Sequence, residues 1–172
     1  MILRSLAGII AVALGSFAAV AVGTCAAAGE PNWVTYRSPS GFYNVDHPGD
    51  WRVERNENIV NFIPEDESGA VTISAYLGKP ASGDAEQLIS KAFGTQQPTS
   101  PLRAVTGSGW KGVRQTFVDK SRTPHREWVV VVATNDSGVV IITSNEVSPR
   151  IAERVPVYTR IFQSLQLSAP RR

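Results

Sequence analysis

The chain has 172 residues, of which 42% are hydrophobic and 19% are charged. This length predicts one domain of ordinary size, large enough to bury a core without disulfides or metals. Its 17 basic and 15 acidic residues give a formal net charge of +2. That balance argues against nucleic-acid binding, which favours a strongly basic face.

Residues 1–28 have the pattern of a secretory signal peptide. Arg4 supplies one positive charge, residues 6–22 form an apolar run without any charge, and small residues follow before the chain becomes polar. This order predicts export across a membrane and cleavage after residue 28. The predicted cleavage site consists of Ala26, Ala28 and Gly29.

The single cysteine, Cys25, lies within this leader. Cleavage after Ala28 leaves a mature chain with no thiol, a periplasmic or secreted location, and a short polar lead at residues 29–32. Two alternatives stay open. Cys25 can be the lipid-bearing first residue of a lipoprotein, although Thr24 before it fits that pattern poorly, or the leader can remain as an uncleaved anchor.

Short strands dominate the first half of the predicted single domain, residues 33–167. Residues 51–54 alternate apolar and charged side chains, which is the period of a half-buried strand. Two segments that flank the polar loop 64–69 predict a hairpin. The strands are predicted at 33–37, 42–45, 51–54, 58–63 and 70–77.

A helix is predicted to begin at Asp84. The Asp84 carboxylate can accept hydrogen bonds from the first turn, and Gln87 completes a weak capping box. Gly94 is placed to end the helix in a left-handed conformation. One apolar stripe would face the sheet, formed by Leu88, Ile89, Ala92 and Phe93.

Three further strand regions follow, at 102–106 with 110–118, at 126–134 and at 138–144. The first region is compatible with one bent strand, because three glycines interrupt it. Residues 128–132 and 139–142 are continuously apolar, which predicts strands covered on both faces by a helix or a partner. The interrupting glycines are Gly107, Gly109 and Gly112.

The last predicted element begins at Ser148 as a cap, with Pro149 in the first turn. Pro156 either kinks this helix or marks the start of a second one. Residues 168–172 form a polar tail. Because neighbouring strands joined by short turns pair antiparallel, the predicted fold class is α+β, an antiparallel sheet flanked by helices. Helical spacing links Ile151, Val155, Tyr158, Ile161, Phe162 and Leu165.

Residues 40–51 resemble the opening of PsbP-like domains, with Gly41, Phe42, Pro48 and Trp51 at the matching positions. Residues 160–165 are similar to the closing helix of the same family, and the resemblance covers residues 33–167. It implies a three-layer α/β/α sandwich around an antiparallel sheet. Family members are mostly non-enzymatic and include an extrinsic photosystem subunit, Ran-binding proteins and bacterial envelope proteins. The fold transfers from this resemblance, but the function does not.

Candidate chemical groups are few, and no catalytic, cofactor or metal site is predicted. His47 is interpreted as a turn residue. The run 65–67 has clustered carboxylates that could hold calcium, but a solvated hairpin tip is the simpler interpretation. A Ser–His–Asp relay can be drawn only from common residues without a nucleophile motif, namely Ser108, His125 and Asp119.

The densest basic stretch is interpreted as an ordinary solvated hairpin loop. The alternative is a contact with phosphate, a lipid headgroup or an acidic protein partner, formed by Lys120, Arg122, His125 and Arg126. Four aromatic residues are expected to fill sheet edges, with an exposed partner surface as the alternative. They are Trp33, Tyr36, Tyr43 and Trp110, whereas Trp51 and Trp128 are predicted in the core.

The sequence therefore favours an exported, non-enzymatic binding or assembly protein of the bacterial cell envelope, without a cofactor and with another envelope protein as partner. A periplasmic carrier of a small ligand is the first alternative, because a sheet and its helices can open a pocket between layers. A small hydrolase is the second.

Overall fold

The computed structural model describes residues 31–78, 85–148 and 150–169, which form eleven strands and two helices. The predicted leader, including Cys25 and the cleavage site at Ala26, Ala28 and Gly29, lies outside the described residues. In chain order the elements are β1 (Trp33–Arg37), β2 (Tyr43–Pro48), β3 (Arg52–Asn56), β4 (Ile59–Ile63), β5 (Gly69–Leu77), α1 (Ala85–Phe93), β6 (Gln97–Pro98), β7 (Arg103–Gly107), β8 (Trp110–Asp119), β9 (Arg126–Asn135), β10 (Gly138–Val147), α2 (Ile151–Ser164) and β11 (Gln166–Leu167).

Every pair between these strands is antiparallel, which confirms the α+β fold class. The larger sheet has the order β3-β4-β5-β10-β9-β8-β6, and β7 also pairs with β8. A smaller sheet has the order β1-β2-β11. The predicted hairpin around the loop 64–69 is present as β4 and β5.

The valine-rich strands β9 and β10 lie at the centre of the larger sheet, and both faces of β9 are buried. Val129 and Val131 belong to an apolar cluster that also contains Tyr158 and Ile161 of α2. The alternate residues of β9 belong to a second cluster that contains Ile89 of α1. The continuously apolar pattern therefore correctly predicted strands covered on both faces.

The smaller sheet was not predicted, since all strands were expected in one sheet. Its residues Tyr43, Val45 and Leu167 are buried in the same cluster as α2. The third strand, β11, is only two residues long and lies at the end of the segment interpreted as the closing helix and tail. So short a strand has no periodicity of its own, and only its pairing with β2 identifies it.

The prediction of a half-buried strand at 51–54 is wrong in detail. Trp51 is buried but precedes β3, and all residues of β3 are exposed, with Val53 at 40%. The reason is the position of β3 at the edge of the larger sheet, where its charged side chains face water on both sides.

Helix α1 ends at Phe93 as predicted, while the predicted cap Asp84 lies outside the described residues. Leu88, Ile89 and Phe93 contact the second cluster. Gly94 does not have a positive φ, so the prediction of a left-handed end is wrong. The chain instead leaves the helix through a turn closed by the amide of Gln96 and the Phe93 carbonyl, at 2.8 Å.

Helix α2 is a single helix with Pro156 inside it, so the alternative of a second helix is wrong. Its N-cap is Arg150, which makes no side-chain cap bond, and the Ser148 amide instead donates to the His125 carbonyl at 2.9 Å. Ser148 therefore closes a loop rather than capping the helix. Of the predicted apolar face, Tyr158, Ile161 and Phe162 are buried, and Val155 is exposed.

His47 is not a turn residue but a buried residue of β2, with 5% exposure. Its ring centroid lies 4.6 Å from that of Phe62, and its Nδ1 lies 2.8 Å from the Pro48 carbonyl oxygen. Burial lowers the pKa of the His47 imidazole, and the Pro48 bond and the Asp46 carboxylate oppose that shift only in part.

This lowered pKa predicts a loss of stability in mild acid. The unfolded chain binds the proton more readily than the folded chain, so the contribution of His47 is complete above about pH 6.5 and is lost as pH falls through the folded pKa. Urea unfolding between about pH 8 and pH 5 measures this slope. The variant His47→Gln should flatten it. Equal slopes in His47→Gln and the wild type would contradict the prediction.

Candidate functional site

The β7–β8 hairpin forms one wall of the candidate site. Its turn is Ser108-Gly109, and Gly107 pairs with Trp110 at the end of the ladder. Gly109 has a φ of 78°, and a Cβ there would lie 2.2 Å from the Leu167 carbonyl oxygen. The turn therefore requires glycine. The interpretation of this region as one bent strand is wrong, because Gly107 and Gly109 mark a turn between two paired strands.

Trp110 connects this hairpin to the end of α2. Its indole Nε1 donates to the Leu165 carbonyl oxygen at 2.9 Å. A Cβ at Gly107 would lie 2.3 Å from an indole carbon, so the ring lies directly over this glycine. The packing interpretation of the aromatic residues is thus the better one, since Tyr43 is buried and three others pack against the cluster beneath α2, namely Trp33, Tyr36 and Trp110.

A cleft of about 320 Å³ lies between α2, the β7–β8 hairpin and β9. This volume is at the lower end of the range for small-ligand sites. The floor and walls are largely apolar, and polar groups from α2 and β8 lie among them. The lining residues are Val105, Thr106, Trp110, Arg114, Val131, Thr159, Phe162 and Gln163.

Two arginines lie side by side on the β7–β8 hairpin, and one of them, Arg114, lines this cleft. Arg103 on β7 is directly opposite Arg114 on β8, so both side chains leave the same face of the sheet. Arg114 is partly buried, and Arg103 is exposed. Within the described residues neither guanidinium forms an ion pair or a hydrogen bond. Like charges in directly opposite positions repel each other, so this pair costs stability unless an anion lies between them.

The predicted partner contact lies in the loop between β8 and β9. Arg122 pairs with Asp119 at 3.7 Å, and Arg126 donates to the Asn145 amide oxygen at 2.7 Å. The His125 Nδ1 lies 2.8 Å from the Arg122 carbonyl oxygen. Hydrogen bonds from Ser121, joined by the Arg122 and His125 charges, hold the pKa of the Asp119 carboxyl below its usual value. Three of the four predicted contact residues, Arg122, His125 and Arg126, therefore have contacts within the chain, and Lys120 precedes them in the same loop.

The relay of Ser108, His125 and Asp119 is not formed. Ser108 lies in the turn before β8, and Asp119 is the last residue of β8. A ten-residue strand spans about 30 Å, far beyond hydrogen-bond reach. The carbonyl of Ser108 accepts instead from the Leu167 amide at 3.0 Å.

The acidic run 65–67 is exposed at the tip of the β4–β5 hairpin, as predicted, and it also forms ion pairs. The Asp66 carboxylate accepts from Arg154 at 2.8 Å and from Arg150 at 3.2 Å. Partial burial opposes the shift, but hydrogen bonds from Ser68 and the charge of Arg154 hold the pKa of Asp66 below its usual value. This loop therefore attaches the β4–β5 hairpin to the start of α2.

A fully buried carboxylate lies beside this loop, and sequence reasoning did not identify it. Glu146 Oε2 accepts from the Tyr158 hydroxyl and from Ser68 Oγ, both at 3.1 Å, and Oε1 accepts from the Val147 amide at 3.0 Å. Burial and the adjacent carboxylate raise the pKa of the Tyr158 hydroxyl, which stays a donor at neutral pH. The residue opposite is Gly69, where a Cβ would lie 2.8 Å from Glu146 Oε2.

In the described residues, no group of three or more His, Cys, Asp or Glu side chains is arranged to hold a metal ion. In the same part of the chain, neither helix is long and apolar enough to cross a membrane.

Comparison with known proteins identifies similar solved structures. No family model matches the chain, and no curated protein matches it. A crystal structure from Bacteroides thetaiotaomicron VPI-5482 is 14% identical, with a TM-score of 0.60 over 78% of this chain. The present chain spans about half of that longer one, 48% of its length.

Two other solved structures are matched over most of their length. The cyanobacterial PsbP protein CyanoP of Synechocystis sp. PCC 6803 is 12% identical, with a TM-score of 0.59 over 86% of this chain and 99% of its own. The protein LpqN of Mycobacterium tuberculosis, described as involved in cell envelope biogenesis, is 15% identical. Its TM-score is 0.53 over 80% of this chain and 91% of its own. At these identities the likeness concerns the fold.

Proposed function

Since the chain has the PsbP-like fold that residues 40–51 predicted, we propose that it is an exported, non-enzymatic binding protein of the bacterial cell envelope. Its ligand is a small molecule with an apolar body, held in the cleft between α2 and the larger sheet. The observation that carries this proposal is the cleft itself, which combines apolar walls with an unpaired arginine. Such a combination is typical of sites that bind and orient a small molecule.

The leader and one structural neighbour support a location in the cell envelope. Residues 1–28 have the charge, apolar run and small-residue site of a secretory signal, and the domain begins after them at residue 33. LpqN, which has a similar fold, is described as involved in cell envelope biogenesis. Both features support an exported protein of this compartment.

We also propose that the layers of the domain correspond to the three-layer α/β/α sandwich of the resembled family. Helix α1 contributes to the cluster on one face of the larger sheet. Helix α2 contributes to the cluster on the other face, together with residues of the smaller sheet. In this arrangement the smaller sheet completes the layer that contains α2, and it leaves the cleft open beside the helix.

Protein docking through the loop between β8 and β9 is the second candidate function. The loop is exposed, and Arg122 keeps 70% of its side-chain surface accessible despite its pairing with Asp119. A partner with an acidic surface would meet Lys120 and Arg122 here. The partner in this second candidate function is another envelope protein, whereas the ligand of the cleft is a small molecule.

Nile red, an uncharged apolar dye, tests the cleft directly. We expect saturable binding of one dye molecule to the purified protein, measured by fluorescence titration. The variant Thr159→Trp fills the cleft and should abolish binding, whereas Lys91→Trp adds the same side chain to an exposed position of α1 and should not. Absence of saturable binding, or equal binding by both variants, would refute the carrier function.

A further inference from the structure

We propose that Arg103 and Arg114 form an anion-binding subsite at the cleft, and that the ligand is a single-chain amphiphile with an anionic head. The apolar chain would lie along the cleft, and the head would lie between the two guanidinium groups. This inference rests on the proposed function, because it specifies the chemistry of the molecule that the cleft takes.

The strand register places both arginines on the cleft side of the sheet. Side chains alternate along β8, and Val113 and Phe117 belong to the cluster that contains α1. Arg114 therefore leaves the opposite face, beside α2, and it lines the cleft. Because Arg103 is its direct partner across the β7–β8 ladder, the two Cβ atoms are about 5 Å apart.

The electrostatic balance at this position is positive and uncompensated. The acidic residues of the surrounding strands and helix are few, and each lies away from the pair. Asp119 is held by Ser121 and Arg122, Glu127 is opposite Val118 four positions along β8, and Glu153 lies in the first turn of α2. Arg150 and Arg154, by contrast, both pair with Asp66. Two opposed arginines without a carboxylate are a preorganised anion site.

The apolar walls of the cleft indicate that the anionic group belongs to a ligand with an apolar body. Val105, Trp110 and Phe162 offer apolar surface next to Arg114, and burial of that surface favours a hydrocarbon or aromatic body. A free inorganic anion would leave these walls in contact with water. A ligand that pairs with the arginines and also covers the apolar walls has one charged end and one apolar end.

The test compares ligands that share a chain and differ in the head group. We expect decanoate to bind the purified protein about tenfold or more tightly than decanol at low salt, because charge-assisted hydrogen bonds add about 1.5–3 kcal/mol, which is tenfold or more in Kd. Isothermal titration calorimetry measures both affinities. Added salt should reduce the preference for decanoate, and inorganic phosphate alone should bind weakly.

Three variants assign this preference to the arginine pair. Arg114→Gln should bind decanoate and decanol equally while keeping its affinity for decanol, and Arg103→Gln should lose part of the preference. Lys111→Gln is the matched control, because it removes one positive charge from the opposite face of β8 and should keep the preference. Arg103 is exposed, so its replacement also keeps the test valid if Arg114→Gln folds poorly.

Ligand-free stability supplies a second measurement. Because each replacement relieves the repulsion between the arginines, Arg103→Gln should melt at the same temperature as the wild type or higher, yet show a smaller rise in Tm with decanoate. A purely structural role for Arg103 would instead lower the Tm without ligand.

The outcomes separate this inference from the proposed function. Equal affinities of the wild type for decanoate and decanol would overturn the anion subsite and leave the carrier function intact. Binding of neither ligand would overturn both. A preference for decanoate that is undiminished in both Arg103→Gln and Arg114→Gln would also overturn the subsite. Binding to anionic vesicles without binding to monomeric decanoate would do the same.

Discussion

Replacing Glu146 with alanine is expected to destabilise the protein by about 3 kcal/mol, measured as the free energy of unfolding in urea. The Glu146 carboxylate is fully buried and accepts hydrogen bonds from Tyr158, Ser68 and the Val147 amide. Alanine would leave the buried Tyr158 hydroxyl without its acceptor and would open a cavity over Gly69. The loss therefore combines an unsatisfied donor with lost packing.

Three comparison variants identify the source of this loss. Glu146→Gln keeps the size of the side chain and one acceptor oxygen, so we expect a smaller loss of about 1–2 kcal/mol. Tyr158→Phe removes the donor alone, and its effect should not add fully to that of Glu146→Ala because the two residues share a hydrogen bond. Glu153→Ala, on the exposed surface of α2, should change stability by about 0.5 kcal/mol or less. A loss for Glu146→Ala no greater than this control would contradict the prediction.

Gly112→Ala is expected to destabilise the protein by a similar amount, about 3 kcal/mol, although it adds a single methyl group. A Cβ at this position would lie 1.8 Å from the Val132 carbonyl oxygen on β9. Strand β8 pairs with β9 on one side and with β7 on the other, so it cannot move away without breaking a ladder. The clash falls on the backbone and therefore cannot be relieved by a side-chain rotation.

The sign of this effect makes the test decisive. In an unstrained strand, alanine in place of glycine would stabilise by about 0.4–1 kcal/mol, because it restricts the unfolded chain. Urea unfolding of Gly112→Ala should show a large loss, and Lys111→Ala, the exposed neighbour on the same strand, should stay within about 0.5 kcal/mol of the wild type. A gain in stability for Gly112→Ala would show that β8 and β9 are not paired in this register.

Several elements were predictable because their signal is local. The runs 128–132 and 139–142 are continuously apolar, and they form the two central strands with both faces buried. Helix α1 and the β4–β5 hairpin follow from apolar spacing and from turn residues in the same way. The motif residues at 40–51 also predicted the PsbP-like fold.

The candidate site was not predicted, because the position of its residues depends on the strand register across the β7–β8 turn. The pairing of Arg103 with Arg114 follows once Ser108-Gly109 is known to be a two-residue turn, since Gly107 then pairs with Trp110. The glycines in this region were compatible with a bend, and a bend would have placed the two arginines far apart. The turn itself was therefore the signal that could have found the site.

Glu146 and His47 are buried polar residues whose burial the sequence also did not predict. Both are fully or nearly fully buried, although their residue types are usually found at surfaces. The partners that satisfy Glu146 come from the β4–β5 loop and from α2, which are distant in sequence. Composition and periodicity do not report such contacts.

By itself the sequence of this protein determined the α+β class and the strands that form the centre of the sheet, because both depend on neighbouring residues and their spacing. Only the tertiary structure decided the separate small sheet, the cleft beside α2 and the opposed arginines of the β7–β8 hairpin, one of which lines that cleft. These features depend on which strands pair and in which register, and that choice is made by contacts between segments far apart in the chain.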